Sequence, residues 1–347
     1  MRNAAIAFDE MTASAVAMVS DRGITGYAFD SIGRYSKSAL LRERFFPRVE
    51  GRDDVVDGHG MIDPPACARA AMANEKPGGH GERPGAIGLI EAAAWDLRAK
   101  AQGVPLWRSI ADYYGTQGSA TISVYASCGH IRDDGALADE VRKALDLGYR
   151  TVKIKALGNE DDFRRLERVA RLGNVALDLN GAEARQGWLS RAGDFEPAWI
   201  EEPAPPLDYE CLRRVVEASP MPIATGENLF SYDDARNLLR YGSLRPERDF
   251  VQVDPLLAYG VDEYVRILKL YESWPRRQFL PHAGHLFAAH CVAAFGLGMA
   301  EAAPDASLAY GGYWDGVRVE GARVKIPDMP GVGFEAKANL FAVLEST

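Results

Sequence analysis

From Thr121 onward the chain alternates two kinds of segment. Short runs rich in Val, Ile and aromatic residues fit strands, and the longer stretches between them, with apolar positions every three or four residues, fit helices with one buried face. The runs are TISVYASC, TVKIKA, VALDLN, AWIEEP, PIATGE, DFVQVDP, QFLPHA and, at Ser307, SLAYGG. This rhythm predicts a parallel sheet closed by βα units, and eight such runs predict a barrel. The helical stretch at 133–147 opens on acids and stops at Gly148, and a second over Asp161 to Leu172 repeats the pattern.

Residues before about Gly115 do not follow this rhythm. They hold the alternating segment AVAMVS, the loop NEKPGGHGERPG and the Ala-rich helical stretch AIGLIEAAAWDLRAKAQG. The expected organisation is therefore an N-terminal α+β capping domain over 1–115 and a (β/α)-barrel of modified TIM type over 116–316. In the C-terminal segment, 317–347, two strand-like runs and a Pro/Gly turn are expected to pack back on the cap.

In a barrel of this kind the active site gathers at the C-terminal ends of the strands. Here those ends are polar: Lys153 and Lys155, Asp178 and Asn180, Glu201 and Glu202, Glu227, Asp254, and His282. From Lys155 through Asp178, Glu201, Glu227 and Asp254 to His282 the spacings are 23, 23, 26, 27 and 28 residues, each about one βα unit. One ionisable group is thus expected on each successive strand. Side chains two apart on a strand share a face, so Lys153 should join Lys155, and Asn180 should join Asp178.

Three converging carboxylates, Asp178, Glu201 and Glu227, offer the hard oxygen ligands that Mg²⁺ prefers. A lysine beside a second lysine and a metal is pushed toward the neutral amine, which makes Lys155 the candidate base and Lys153 its tuner and a donor to a substrate carboxylate. Opposite them, Asp254 can orient His282 as a general acid. A KxK or a Glu-Glu-Pro alone is an ordinary surface pattern, and the ordered series along six strands is what carries the reading. His285 is an alternative acid, while His290 reads as structural.

Composition narrows the partners. With 347 residues, 47% apolar and 26% charged, the chain can bury a full core. Its longest uncharged apolar run, Cys291 to Ala300, is short of the roughly 20 residues of a membrane span, and no signal peptide is visible, so a cytoplasmic location is expected. Cys67, Cys128, Cys211 and Cys291 stand in no CxxC pattern and read as reduced core residues. The net charge of −9 is interspersed and no basic stripe is present, which argues against nucleic acid and for a small-molecule partner.

The series TVKIK, ALDLN, WIEEP, ATGEN, QVDP and PH resembles the mandelate racemase group of the enolase superfamily over nearly the whole chain. Within that group it is similar to the D-tartrate dehydratases through NEKPGGHGER, ATGENLFS, RPERD, PHAGH, GLGMAE and IPDMPGVGFE. The resemblance implies Mg²⁺ on Asp178, Glu201 and Glu227, Lys155 as base, and His282 supported by Asp254 as acid. It further implies substrate contacts from Asn3, Lys76, Lys153, Asn180 and Glu301, a hydroxy-acid substrate and a homo-oligomer.

The expected reaction is dehydration of an acid sugar or tartrate-like hydroxy diacid to a 2-keto acid. Racemisation or epimerisation, and a catalytically silent metal-binding barrel, are the competing readings. Three departures bear on the substrate. The family's opening cap strand is expected to be missing or shortened, because Asn3 comes so early. Ile32 stands where a polar Asn is expected, and PAPPLDYE after Glu202 differs from the family pattern.

Overall fold

The computed structural model describes residues 12–30, 35–78, 81–129 and 134–346. Strands β1 (Ala15–Val19) and β2 (Thr25–Phe29) form an antiparallel hairpin with Ala15 opposite Phe29. The chain then passes through the single turn α1 (Ser38–Leu40) and α2 (Pro64–Ala71) into the long α3 (Glu82–Gln102) and α4 (Leu106–Tyr114). A two-stranded hairpin is marginal in water, and here it rests on α3. Gly26 makes that contact possible, since a Cβ at this position would lie 2.2 Å from the Ala93 carbonyl oxygen.

Nearly every face of α3 is buried, as its Ala-rich sequence demands. Its two buried acids serve neighbouring backbones. Asp96 accepts from the N–H of Tyr27 (2.8 Å) and of Val332 (2.6 Å), joining the cap to the C-terminal segment. Glu91 accepts from the N–H groups of Val261 and Asp262 in the barrel, the latter at 3.1 Å.

The barrel runs β3 (Thr121–Cys128), α5 (Asp134–Asp146), β4 (Thr151–Lys155), α6 (Asp161–Val169), β5 (Asn174–Asp178), α7 (Gln186–Gly193), β6 (Ile200–Glu201), α8 (Tyr209–Ala218), β7 (Ile223–Thr225), α9 (Tyr232–Tyr241) and β8 (Phe250–Val251). It continues through α10 (Val261–Leu270) and α11 (Leu286–Phe295) to β9 (Ala300–Ala302). From β3 to β8 each strand pairs in parallel with the next.

Two expectations about strands need correction. The run QFLPHA forms no ladder. It joins the wall by one parallel bridge, Phe279 to Val251, and by the Leu280 N–H to Val251 carbonyl bond of 3.0 Å. The closing strand is β9, which pairs in parallel with β3, whereas SLAYGG lies in turns. Three residues, AEA, are too short to show a strand period, and the apolar stretch before them reads as one continuous helix.

Of the two strand-like runs near the C-terminus, only the second is a strand. β10 (Arg323–Lys325) pairs antiparallel with β3, with Val324 opposite Ile122. The first run instead lies against the turn before β4, where a Cβ on Gly148 would meet the Val319 carbonyl at 2.1 Å. Beyond β10, Phe334 packs edge-on to Phe29, and Phe341 of α12 (Ala338–Leu344) packs edge-on to Tyr27. No helix among the described residues is long and apolar enough to cross a membrane. All four cysteines are buried and free of disulfides, as expected.

Candidate active site

Register places the site. Lys155 pairs with Asp178 and Asp178 with Glu201 across β4, β5 and β6, so three ionisable groups stand in a row on adjacent strand ends. Glu227 and Asp254 lie beyond the last residues of β7 and β8, and His282 follows the single-bridge segment. Ala176, Trp199 and Leu280, each two residues before Asp178, Glu201 and His282, join Tyr125 and Ala224 in a buried cluster of their own. The period of two thus gives the barrel an apolar floor under a polar rim.

The lysines and acids interlock. Lys155 Nζ lies 2.5 Å from Asp178 Oδ2. Lys153 Nζ bridges Glu201, Glu301 Oε1 at 2.9 Å and Asp178 Oδ2 at 3.4 Å. Glu201 also accepts from Trp199 Nε1 (3.0 Å) and Gln252 Nε2 (2.7 Å). On the far side, His282 Nδ1 lies 3.2 Å from Asp254 Oδ2, and its Nε2 lies 3.5 Å from Glu227 Oε2. Glu301 on β9 accepts from Tyr125 Oη at 3.2 Å, which places it between the lysines and the Ala283 backbone.

Acids outnumber bases in this group: the buried Asp178, Glu201, Glu202, Glu227, Asp254 and Glu301 accompany the buried Lys153, Lys155 and His285 and the partly buried His282. The imbalance appears in their protonation. Burial, with Asp178, Glu301 and Glu227 nearby, pushes Glu201 up to about 7 despite Lys153. Burial and the neighbouring Glu227 likewise raise Glu202 well above the usual carboxylate range. Burial would also raise Asp178, but Lys155 and Lys153 outweigh it and hold this carboxyl well below the usual range.

Lys155 differs from the sequence expectation. Burial and Lys153 both pull its ammonium down, yet Asp178, Glu227 and Glu201 outweigh them and hold it above an ordinary lysine. Among the described residues, no three His, Cys, Asp or Glu side chains gather closely enough to hold a metal ion as they stand. The two ammonium groups are paired with oxygens of Asp178 and Glu201.

Residues 136–340 match the family model described as enolase C-terminal domain-like. The chain belongs to this family. Among its relatives is a 3,6-anhydro-alpha-L-galactonate cycloisomerase of Streptomyces coelicolor, 29% identical over 230 residues, covering 62% of this chain and 59% of the relative. An L-talarate/galactarate dehydratase of Salmonella typhimurium is 29% identical (61% of this chain, 54% of the relative), and a D-galactonate dehydratase of Pectobacterium atrosepticum is 26% identical (54% and 52%). The chain thus spans only 52 to 59% of the length of these relatives.

In fold, the chain is similar to a racemase from Streptomyces coelicolor solved with bound magnesium, with a TM-score of 0.77, 22% identity, and 94% and 91% of the two chains covered. It is also similar to an L-talarate dehydratase from Polaromonas sp. solved with Mg and L-glucarate (TM-score 0.74, 23% identity, 91% and 84% covered).

Several residues of this enolase-family barrel escape sequence reading. Glu202, named at a strand end from sequence but given no role there, is buried at φ 42° and accepts from Asn228 Nδ2 at 2.7 Å. Trp199 and Gln252 stand two residues before Glu201 and Asp254, so the same period that pairs Lys153 with Lys155 could have found them. Asn180 (φ 46°) and Ala283 (φ 99°) also take left-handed backbone just past strand ends, strain of the kind that collects at functional sites. The Asn180 Oδ1 is buried without a hydrogen-bond partner among the described residues.

His285 caps α11: its Nδ1 accepts from the Ala288 N–H at 2.9 Å, and its Nε2 faces Asp254 Oδ1 at 3.5 Å. Both nitrogens are therefore turned into the protein. Lys76 stands exposed on the loop before α3. Asn3 and Ile32 lie outside the described residues.

Proposed function

We propose that the protein is a magnesium-dependent dehydratase of an acid sugar or tartrate-like hydroxy diacid. The observation that carries this reading is a two-walled site. A buried lysine pair stands on one side, the Asp254–His282 pair on the other, and the carboxylates of Asp178, Glu201 and Glu227 lie between them. The similarity to talarate/galactarate and galactonate dehydratases supports the substrate class.

The residues fit a hard dication by type and by charge. They are buried oxygen donors in excess of their cations, so much so that Glu201 and Glu202 tend to hold protons. Asp178, Glu201 and Glu227 would hold Mg²⁺, which when bound stabilises the charge that develops on a substrate carboxylate as its α-proton leaves.

Lys155 takes that α-proton. Asp178, Glu227 and Glu201 together keep it charged, and when all three carboxylates are engaged by a metal ion the remaining influences, burial and Lys153, both favour the neutral amine. Lys153 positions the substrate carboxylate at the base of the site, Glu301, ionised beside it, accepts from a substrate hydroxyl, and Asn180 contributes a hydrogen-bonding edge. His282, held by Asp254, protonates the departing β-hydroxyl, and the enol tautomerises to a 2-keto acid. Lys76 contacts the distal end from the cap. The division into cap (1–115), barrel (116–316) and returning segment (317–347) belongs to the same reading, with substrate choice assigned to the cap loops.

Placement of the base and acid on opposite walls also suits a racemase or epimerase, in which His282 returns a proton to the same carbon. The two reactions separate in one experiment. Purified protein with Mg²⁺ is presented with aldaric, aldonic and tartaric acids, scoring keto-acid formation and inversion at the α-carbon. Keto acid supports dehydration, and inversion alone replaces it with epimerisation. No reaction with any acid in the panel rejects both.

A further inference from the structure

The loop that carries Lys76 is held by a set of contacts that no part of the proposed chemistry uses. Glu75, its first acid, is buried at the carboxyl group and receives a two-pronged hydrogen bond from Arg44 (Nε 2.8 Å, Nη2 2.7 Å) and a further one from Arg48 (2.9 Å). A third guanidinium, Arg83 at the start of α3, reaches Glu75 Oε2 at 3.3 Å, the Gly78 carbonyl, and Tyr259 Oη at 3.2 Å. Tyr259 Oη in turn donates to the Gly78 carbonyl at 3.1 Å.

Tyr259 belongs to the barrel. It stands five residues after Asp254, in the turn that leaves the C-terminal end of β8, and takes a left-handed φ of 60°. The Gly78 carbonyl is thus shared by one donor from the cap and one from the rim of the barrel. A planar guanidinium is suited to this, because its fork can serve three acceptors in fixed directions.

We propose that Arg83 and Tyr259 fasten the Lys76 loop to the barrel mouth, which makes Tyr259 a positioning residue that sets recognition of the substrate's distal end. The proposal rests on the dehydratase reading for its substrate but not for its geometry. Without the phenol, Arg83 still binds Gly78 from the cap side, and the loop loses its tie to the barrel. Lys76 then samples more positions and gains less from each contact, a cost that falls on binding rather than on the chemical step.

Two measurements on Tyr259→Phe and Arg83→Lys test this, both with the full chain and Mg²⁺. The first is amide hydrogen exchange over Met72 to Gly78, where the Glu75 N–H is bonded to the Met72 carbonyl at 3.0 Å. Both variants should exchange there about tenfold faster, the equivalent of one net hydrogen bond, with barrel strands unchanged. Unchanged exchange in the loop overturns the latch, and faster exchange throughout the barrel shows a merely structural role and also overturns it.

The second measurement is steady-state kinetics with galactarate and tartrate as probes. KM should rise about tenfold in Tyr259→Phe with kcat within about twofold, and in a Lys76→Ala background the same change should add nothing. A fall in kcat at constant KM, or full additivity with Lys76→Ala, overturns the positioning role. If neither acid is turned over, the dehydratase reading is what fails for these probes, and the exchange result still decides the latch.

Discussion

Lys155 and His282 have separable duties, and isotope exchange can tell them apart. Lys155→Ala should lose turnover by roughly 10²- to 10⁴-fold and also stop solvent deuterium entering the α-carbon, because both depend on one base. His282→Asn should stop elimination yet still exchange an α-proton presented to the lysine. Proton NMR in D₂O reads both, and retained exchange in Lys155→Ala would reverse the assignment. A second residue-scale expectation concerns His290, whose Nδ1 accepts from the Trp107 N–H (3.0 Å) and whose Nε2 donates to the Val332 carbonyl (3.1 Å). Burial lowers its folded pKa to about 4 from 6.5. Between those values the unfolded chain holds a proton that the folded chain lacks, so this contribution is complete above about pH 6.5 and is lost as pH falls toward 4. His290→Gln should flatten that part of the stability curve, by up to about 3 kcal/mol, in urea unfolding across pH 4 to 7. At this scale the row from Lys155 to His282 was legible, because one ionisable group per βα unit is a pattern in sequence. The charge state of Lys155 was not, since it depends on which acids lie within reach, and Glu202, visible at its strand end, was given no role because its burial follows from a left-handed turn that no strand period foretells.

The elements meet where small residues allow close approach. On α3, a Cβ at Gly88 would lie 2.1 Å from the Leu256 carbonyl oxygen, two residues beyond Asp254. Gly88→Ala must therefore push α3 and the turn after β8 apart. It should destabilise the fold by about 1 to 3 kcal/mol in urea, as overpacking does, and lower kcat by loosening Asp254 behind His282. Full kcat in a measurably destabilised variant would separate that turn from catalysis. The Ala-rich helix itself was readable from its composition. Only the packed structure shows Gly88 against a carbonyl and Gly85 against the Lys37 side chain. Strand length set the other limit. TVKIK and VALDL have room to show a pattern, whereas the three residues of β9 and the lone bridge at Phe279 acquire their identity from neighbours far along the chain.

The whole molecule carries a concentrated negative charge within its barrel, and a divalent cation should stabilise the fold as well as the reaction. Mg²⁺ at about 100 times its dissociation constant should add roughly 2.7 kcal/mol to the unfolding free energy, seen as a higher Tm, and chelation should abolish turnover. Asp178→Asn should remove most of the Tm response, and an unchanged response in that variant would place the cation elsewhere. The alternation of strands and helices made the barrel and its cap readable, and the return of the last residues to the cap was expected, but their individual partners were not readable, because these lie about 200 positions or more earlier. Val324 sits opposite Ile122, the Val332 N–H caps Asp96, and Phe341 meets Tyr27. This arrangement has a consequence for synthesis on the ribosome. A nascent chain that has emerged only as far as β9 has every strand of the barrel wall, yet it leaves the start of β3, Thr121 to Ser123, without its β10 partner and one side of α3 bare. Edges and apolar faces of that kind attract other chains, so the period between emergence of residue 302 and residue 344 is when this protein has most need of a chaperone.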